Sequence, residues 1–303
     1  MQDQSFFPKD KTAMVVLLIA AAFFALVRLY PIFDALVLSL QHKVGAQQYW
    51  VGLENFRTLF KDTIFLKSVW NSFRYTAMAV PGVVAVGLVL AMLVNGVKNT
   101  LLRGAFTTSF FLAYVVPLVA VAVMWRYLYL PGRMGLFNAL LGLVGLGPVR
   151  WLDSPKTALL SLAIVRVWKY SGYAMVLFLA GLQAIPDTFY EAAMIDGASR
   201  WQRFRHITLP LLAPTTLFVV MVSILSAFMM FTEVYVMTGG MVTAADVRGG
   251  PQYSTTTMVF NIYTTAFEHF KMGYASAMTV ILLILMVIVS VIQFKYLRPT
   301  WEY

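Results

Sequence analysis

No cysteine occurs in the 303-residue chain, which excludes disulfide bonds, a thiol nucleophile and thiolate metal sites. Histidine is almost as scarce. His42, His206 and His269 stand apart, with no His-x-x-x-His pair and no carboxylate array beside them, so the pattern argues against a metal-dependent enzyme. No Gly-x-x-x-x-Gly-Lys-Ser/Thr stretch is present to cradle nucleotide phosphates. Gly142, Gly145 and Gly147 lack the preceding strand and the following lysine and read as a turn. The chain is therefore expected to carry no catalytic residue, no metal and no cofactor of its own. Charge is sparse as well, at 12% of residues, and the net +10 is scattered between apolar segments without a basic run, which leaves no footprint for nucleic acid.

Apolar side chains fill the space these absences leave. They make up 60% of the chain, with a mean hydropathy of +0.76, a composition whose solvent is lipid. Uncharged runs long enough to cross a hydrocarbon core, which takes about 20 helical residues, occupy 75–97, 104–125, 207–232 and 272–294. Two further spans need argument. Residues 13–27 are uncharged until Arg28, which can extend its charge to the headgroups, while 157–186 is interrupted by Arg166 and Lys169, as in a helix whose polar face turns away from lipid. A cleaved signal peptide competes for the first segment, since Lys9 and Lys11 precede Ala20-Ala21-Ala22. Apolar character continues past any cut there, so a retained helix is the simpler account. The expectation is an all-α polytopic membrane protein, a single domain over 1–303 with six transmembrane helices near 13–33, 72–97, 104–127, 157–185, 211–235 and 273–296.

Six spans put both termini on one side. The loops on the two sides carry equal numbers of Lys and Arg, but those grouped with the termini lie closer to helix ends, which gives a weak positive-inside preference for that side as cytoplasmic. On the other side, Leu53, Phe56, Leu59 and Phe60 share one face of an amphipathic surface helix over 49–60.

Between the fourth and fifth spans the chain reads EAAMIDGASRWQRFRHITLP from Glu191 to Pro210. Thr188 and Glu191 have capping-box spacing, Gly197 allows the left-handed turn that ends a helix, and a second short helix leads to Leu209-Pro210, where the chain turns back to the membrane. Glu191-Ala192-Ala193, Asp196-Gly197-Ala198 and Ile207-x-Leu209-Pro210 together resemble the signature loop of the membrane subunits of binding-protein-dependent ABC importers. Upstream, Trp168-Lys169 with Gly172 and Ala180-Gly181-Leu182-Gln183 is similar to the fourth core helix of the carbohydrate-type group, the maltose and glycerol-phosphate permeases. Downstream, Phe231-x-Glu233-x-Tyr235 with Thr238-Gly239-Gly240 resembles the end of their fifth helix, except that residues 241–248, MVTAADVR, intervene before Gly249-Gly250-Pro251.

The resemblance implies a transport permease, not an enzyme, in a bacterial or archaeal cytoplasmic membrane with both termini cytoplasmic. It implies that 186–210 is a coupling helix-turn-helix, with Glu191, Ala192, Ala193, Asp196, Gly197, Arg200, Arg203, Ile207, Leu209 and Pro210 facing an ATP-binding subunit. The implied partners are two such subunits, which hold ATP and magnesium, a second six-helix permease subunit, an extracytoplasmic solute-binding protein and membrane lipid, with no nucleic acid. The cargo is a sugar or oligosaccharide, with glycerol phosphate or another polyol phosphate as the alternative.

Trp168, Lys169, Tyr173, Glu233 and Tyr235 are candidates for the substrate pathway, because aromatic faces suit sugar rings and a charge within a span costs on the order of 2.5–3.5 kcal/mol unless something compensates it. A buried ion pair joining helices accounts for the same charges. An ion-coupled carrier using Arg166, Lys169 and Glu233 as a relay is the rival function.

Overall fold

The computed structural model describes residues 11–44, 47–239 and 248–296; the insert at 241–248 therefore lies, but for its last residue, outside the described residues. The chain divides into two compact units, one taking in the described residues to Lys61 together with Ile262–Leu283, the other Asp62–Asn261 with the chain from Ile284.

In the first unit α1 runs over Thr12–Ser39, largely exposed along an apolar surface, with one wider turn at Ala25–Leu29. A hairpin follows, β1 (Gln41–Val44) pairing antiparallel with β2 (Gln47–Trp50). The expected surface helix over 49–60 is thus mostly replaced. Its first two residues belong to the strand, Gly52 turns the chain at φ 57, and only α2 (Glu54–Leu59) is helical. Leu59 is fully buried whereas Leu53 and Phe60 are 62% exposed, so the four side chains do not form one apolar face. Buried Asn55 ties the unit together by donating to the carbonyls of Ser39 (2.8 Å) and Gln41 (2.9 Å).

The second unit is built around a pair of long helices, α3 (Thr63–Asn95) and α7 (Ala158–Gln183). Asp62 caps α3 by accepting from the backbone N–H groups of Ile64 and Phe65. At 33 residues α3 is about 50 Å long, longer than the hydrocarbon core requires, so it begins nine residues ahead of the expected boundary at 72. Phe65, Ser68, Ser72, Tyr75, Ala79, Val83, Gly87, Ala91 and Val94 form its buried stripe, spaced by threes and fours as a helix face demands. The stripe meets α7 through small residues. A Cβ at Gly87 would stand 2.6 Å from that of Ala174, the close backbone approach that replaces hydrophobic driving force where the surroundings are themselves apolar.

Two expected spans are bent. The third is α4 (Thr100–Val115) and α5 (Leu118–Leu128), at 92° to one another. Asn99 caps α4. Pro117 ends it, because a proline has no N–H to continue the ladder and forces the preceding residue out of the helical region; Val116 sits at φ −58, ψ 135. After α6 (Leu136–Leu143) and α7 come α8 (Asp187–Ile195), α9 (Arg200–Leu211), α10 (Ala213–Phe228) and α11 (Thr232–Met237). The fifth expected span, 211–235, is therefore divided between α10 and α11, and α9 meets α10 at 64°. Then come α12 (Met258–Tyr263) and α13 (Met272–Tyr296). Among the described residues four helices are long and apolar enough to cross a membrane, and the total reaches six if each bent pair counts as one span.

Gly172 lets α4 lie against α7, since a Cβ there would overlap the carbonyl oxygen of Phe110. Gly172→Ala is expected to cost about 1–3 kcal/mol as overpacking and to lower the thermal midpoint of the detergent-solubilised protein. Gly104→Ala, with nothing within 4 Å of the added carbon, is expected to leave the midpoint unchanged or raise it. Equal midpoints for the two variants would contradict the packing argument.

Candidate functional site

Two places hold the residues singled out from the sequence: the polar loop between α7 and α10, and a set of charged and aromatic side chains midway along α7.

In the loop, α8 starts at Asp187 with Pro186 as its cap and no side-chain capping bond, so the Thr188–Glu191 capping box expected from the sequence does not form. Proline presets the entry φ, and the helix is already under way at Thr188. Reciprocal capping occurs instead at the start of α9. Ser199 N–H donates to Gln202 Oε1 (2.8 Å) and Gln202 N–H donates to Ser199 Oγ (3.3 Å), a Ser-x-x-Gln spacing that the sequence also displays.

Gly197 ends α8 in the left-handed region at φ 74. Ala198 N–H reaches back to the Ala193 carbonyl (2.8 Å) and Gly197 N–H to that of Met194 (3.1 Å), the paired bonds of a Schellman ending. The space beyond the Gly197 α-carbon is open. Leu209-Pro210 does not turn the chain as expected. Helix α9 continues through Leu211, with a wider turn at Phe204–Thr208 directly before Leu209-Pro210, and the bend comes at Leu212. The two arms of the loop are joined where the Tyr190 hydroxyl meets Thr208 Oγ1 at 3.0 Å.

Glu191, Ala192, Asp196, Gly197 and Arg200 are exposed, Ala193, Arg203 and Ile207 half-buried. Around them lies apolar surface that the sequence reading did not single out. Ile195 is 88% exposed and Met194 53%, while Trp201, 65% exposed, packs its ring 5.4 Å from that of Phe204. Arg200 and Arg203 line a pocket of about 310 Å³ with Asn95, Tyr190 and Thr208, and neither forms an ion pair among the described residues.

Midway along α7, Arg166 and Lys169 lie one turn apart and both are buried. The Arg166 Nη1 stands 3.9 Å from Glu233 Oε1 on α11, and its Nη2 donates to Ser226 Oγ on α10. The guanidinium also lies over the Tyr170 ring, 4.3 Å from its centroid, and 5.9 Å from that of Tyr75. One arginine thereby links α3, α7, α10 and α11. A pair of this kind repays its own desolvation rather than adding stability, but removing one partner leaves a bare charge at a cost of about 3–5 kcal/mol.

Lys169 goes elsewhere. Its ammonium donates to the carbonyls of Ala113, Tyr114 and Val116 at 3.2, 3.0 and 2.6 Å. Tyr173 stacks on Tyr114, centroids 4.8 Å apart at 22°. Tyr235 stacks on Phe231 at 5.3 Å. Trp168 is 40% exposed, its ring 5.6 Å from that of Trp125. Of the five pathway candidates, Lys169 and Glu233 are thus turned into helix packing, Tyr173 and Tyr235 are half-buried, and Trp168 keeps an open face. Ser226, Tyr75 and Tyr114 join the cluster unforeseen. A hydroxyl within an apolar run was the sole signal for each.

Comparison with known proteins places this geometry. Residues 83–303 match the family described as binding-protein-dependent transport system inner membrane component. The chain is 38% identical over 250 residues to the probable ABC transporter permease protein YesP of Bacillus subtilis, covering 81% of this chain and 77% of that one. It is 32% identical over 267 residues to the arabinooligosaccharides transport system permease protein AraP of the same organism, covering 88% and 82%. Among solved structures, a chain from a bacterial ABC transporter involved in the import of the acidic polysaccharide alginate superposes with a TM-score of 0.80 at 22% identity, over 95% of this chain and 96% of that chain. The helical fold and the identities over most of the chain agree: this protein belongs to the inner membrane components of binding-protein-dependent transport systems, the permeases of ABC importers.

Proposed function

We propose that the chain forms half of the translocation pathway for a sugar or oligosaccharide and couples it, through residues 188–210, to ATP hydrolysis by a partner subunit. One observation carries the reading. The loop presents a helix-turn-helix whose small residues Ala192, Ala193 and Gly197 leave the backbone approachable, flanked by exposed Met194, Ile195 and Trp201 and by Arg200 and Arg203, which form no ion pair among the described residues. Several exposed apolar side chains gathered on one short polar loop, with Ile195 at 88%, suit a surface that a partner covers.

The partners in this reading are two cytoplasmic ATP-binding subunits carrying ATP and magnesium, a second permease subunit of the six-helix type, and an extracytoplasmic solute-binding protein that selects the cargo. Both termini and the loop lie on the cytoplasmic side of a bacterial or archaeal cytoplasmic membrane. Glu191 and Asp196 meet cations of the ATP-binding subunit while Arg200 and Arg203 meet its carboxylates, and closure of the two ATP-binding subunits pulls the loops together. Trp168, Tyr173 and Tyr235 line the pathway, and the open face of Trp168 is offered to the sugar ring. The Arg166–Glu233 pair keeps the flanking helices in register.

The experiment is to reconstitute the assembly with its binding protein and to measure which solutes stimulate ATP hydrolysis. Stimulation by a sugar or oligosaccharide is expected; stimulation by glycerol phosphate alone would move the substrate to the polyol phosphates, and uptake driven by an ion gradient without ATP would replace the importer with a carrier.

Glu191→Lys and Gly197→Asp are expected to leave the chain folded and inserted, since both positions are exposed and the left-handed backbone of Gly197, φ 74, is one that aspartate tolerates at a cost of about 1–2 kcal/mol. Stimulated hydrolysis is expected to fall by at least about tenfold, the equivalent of 1.4 kcal/mol of lost coupling. Normal assembly with normal stimulated hydrolysis would overturn the coupling role. Trp168→Ala is expected to lower uptake several-fold without changing basal hydrolysis; unaltered uptake removes Trp168 from the pathway.

A further inference from the structure

The bend between α4 and α5 poses a chemical problem that one side chain solves. In an unbroken helix the Ala113 carbonyl would accept from the N–H of residue 117, but Pro117 has none. Beyond it the chain departs at 92°, so the carbonyls of Tyr114 and Val116 lose their partners as well. Helix α4 is 16 residues long, which puts its end about 24 Å from its start. With Arg103 near an interface, that end falls inside a hydrocarbon core about 30 Å thick, where no water repairs an unsatisfied carbonyl and each one costs several kcal/mol.

Lys169 projects from α7 to this point. An ammonium has three N–H donors and no acceptor, and three carbonyls receive them, those of Ala113, Tyr114 and Val116. The negative end of the α4 dipole adds to the attraction. Gly172, one turn on, removes the Cβ that would hold α4 away. An arginine could not serve equally, because its planar fork does not converge on three oxygens around one point.

We propose that the Lys169 ammonium is a tethered cation that fixes the bend between α4 and α5, and that Lys169 is a positioning residue for transport rather than a contact for the transported solute. The inference rests on the permease reading for its effect on transport, but not for its effect on the bend.

The test uses Lys169→Ala and Lys169→Met in the reconstituted assembly and in the purified chain, each with and without n-propylammonium, which restores the atoms that the alanine variant lacks. Lys169→Ala is expected to lose uptake by at least about tenfold, as 1.4 kcal/mol or more of positioning is lost, and to unfold at a lower temperature. Propylammonium is expected to restore most of both, whereas tetramethylammonium, equal in charge but without N–H groups, restores neither. Lys169→Met fills the same channel and is expected to stay impaired in either amine.

Absence of propylammonium rescue, or equal rescue of the methionine variant, overturns the tethered cation. So does a Lys169→Ala protein that keeps its thermal midpoint and changes only the substrate KM, which is the pattern of a ligand contact. If Lys169→Ala does not accumulate, it is expressed with propylammonium present; recovery of folded protein supports the inference and failure to recover it overturns it. An amine-dependent midpoint of Lys169→Ala, found where the wild-type assembly takes up no sugar, would retire the sugar-import reading and leave the cation in place.

Discussion

Inside a bilayer every carbonyl and every charge must find its partner within the protein, because water is absent. That constraint shapes the second unit of this chain more than apolar burial does, since lipid tails are as apolar as leucine and give helices no reason to leave them. What draws the helices together is polar contact and close packing at small residues. Arg166 gathers Glu233, Ser226 and the rings of Tyr75 and Tyr170; Lys169 gathers the loose end of α4. Both stand on α7, along with the glycines that admit α4 at Gly172 and α10 at Gly181, where a Cβ would come within 2.6 Å of Thr215 Oγ1. The helix with the most interruptions in its hydropathy is therefore the one on which the others are assembled.

Much of this was legible in the sequence. The long apolar runs coincide with most of α3 and α13, the interrupted run 157–186 coincides with α7, and Gly197 marks the turn between α8 and α9, because a left-handed glycine ending a short helix is a local event. What was not legible depends on contacts distant in sequence. Pro117 gives notice of a break, but the 92° angle is permitted only because Lys169, more than fifty positions later, answers the freed carbonyls. Ser226 and Glu233 fall in one apolar stretch, and nothing local says that the stretch divides at residues 229–231 into α10 and α11. The helix cap at Ser199 rather than Thr188 is a closer contest, decided by Pro186 starting α8 two residues too early for the Thr188–Glu191 pair to close.

The charged candidates illustrate how far residue type alone can go. Sequence offered two accounts of Arg166, Lys169 and Glu233, a polar pathway or a set of interhelical ties. With Arg166 and Glu233 at most 3% exposed and the three protons of Lys169 all engaged, the ties explain the geometry of the charges, and the aromatic face left open belongs to Trp168. Charge and aromatic ring, adjacent in sequence at 168 and 169, point to different sides of α7 because neighbouring residues on a helix are separated by about 100°.

The two sites share one mechanical element. Helix α7 is continuous for 26 residues, and its C-terminal end passes through Ala184, Ile185 and Pro186 directly into α8 of the loop. Lys169 lies 14 residues before that end, about 21 Å along the axis, with no proline or wide turn between. The path from the end of α7 to the charge cluster therefore runs along one unbroken helix, whereas α4 and α5 meet at a bend tied to α7 by the hydrogen bonds of one ammonium, by Tyr114 stacked on Tyr173 and by Trp125 beside Trp168. A continuous rod joined to a hinge is what a coupled conformational change requires, since small displacements at one end become discrete rearrangements only where packing has two available states. In the proposed function, Lys169, on the rod and at the hinge, is where movement of the loop meets the shape of the membrane core.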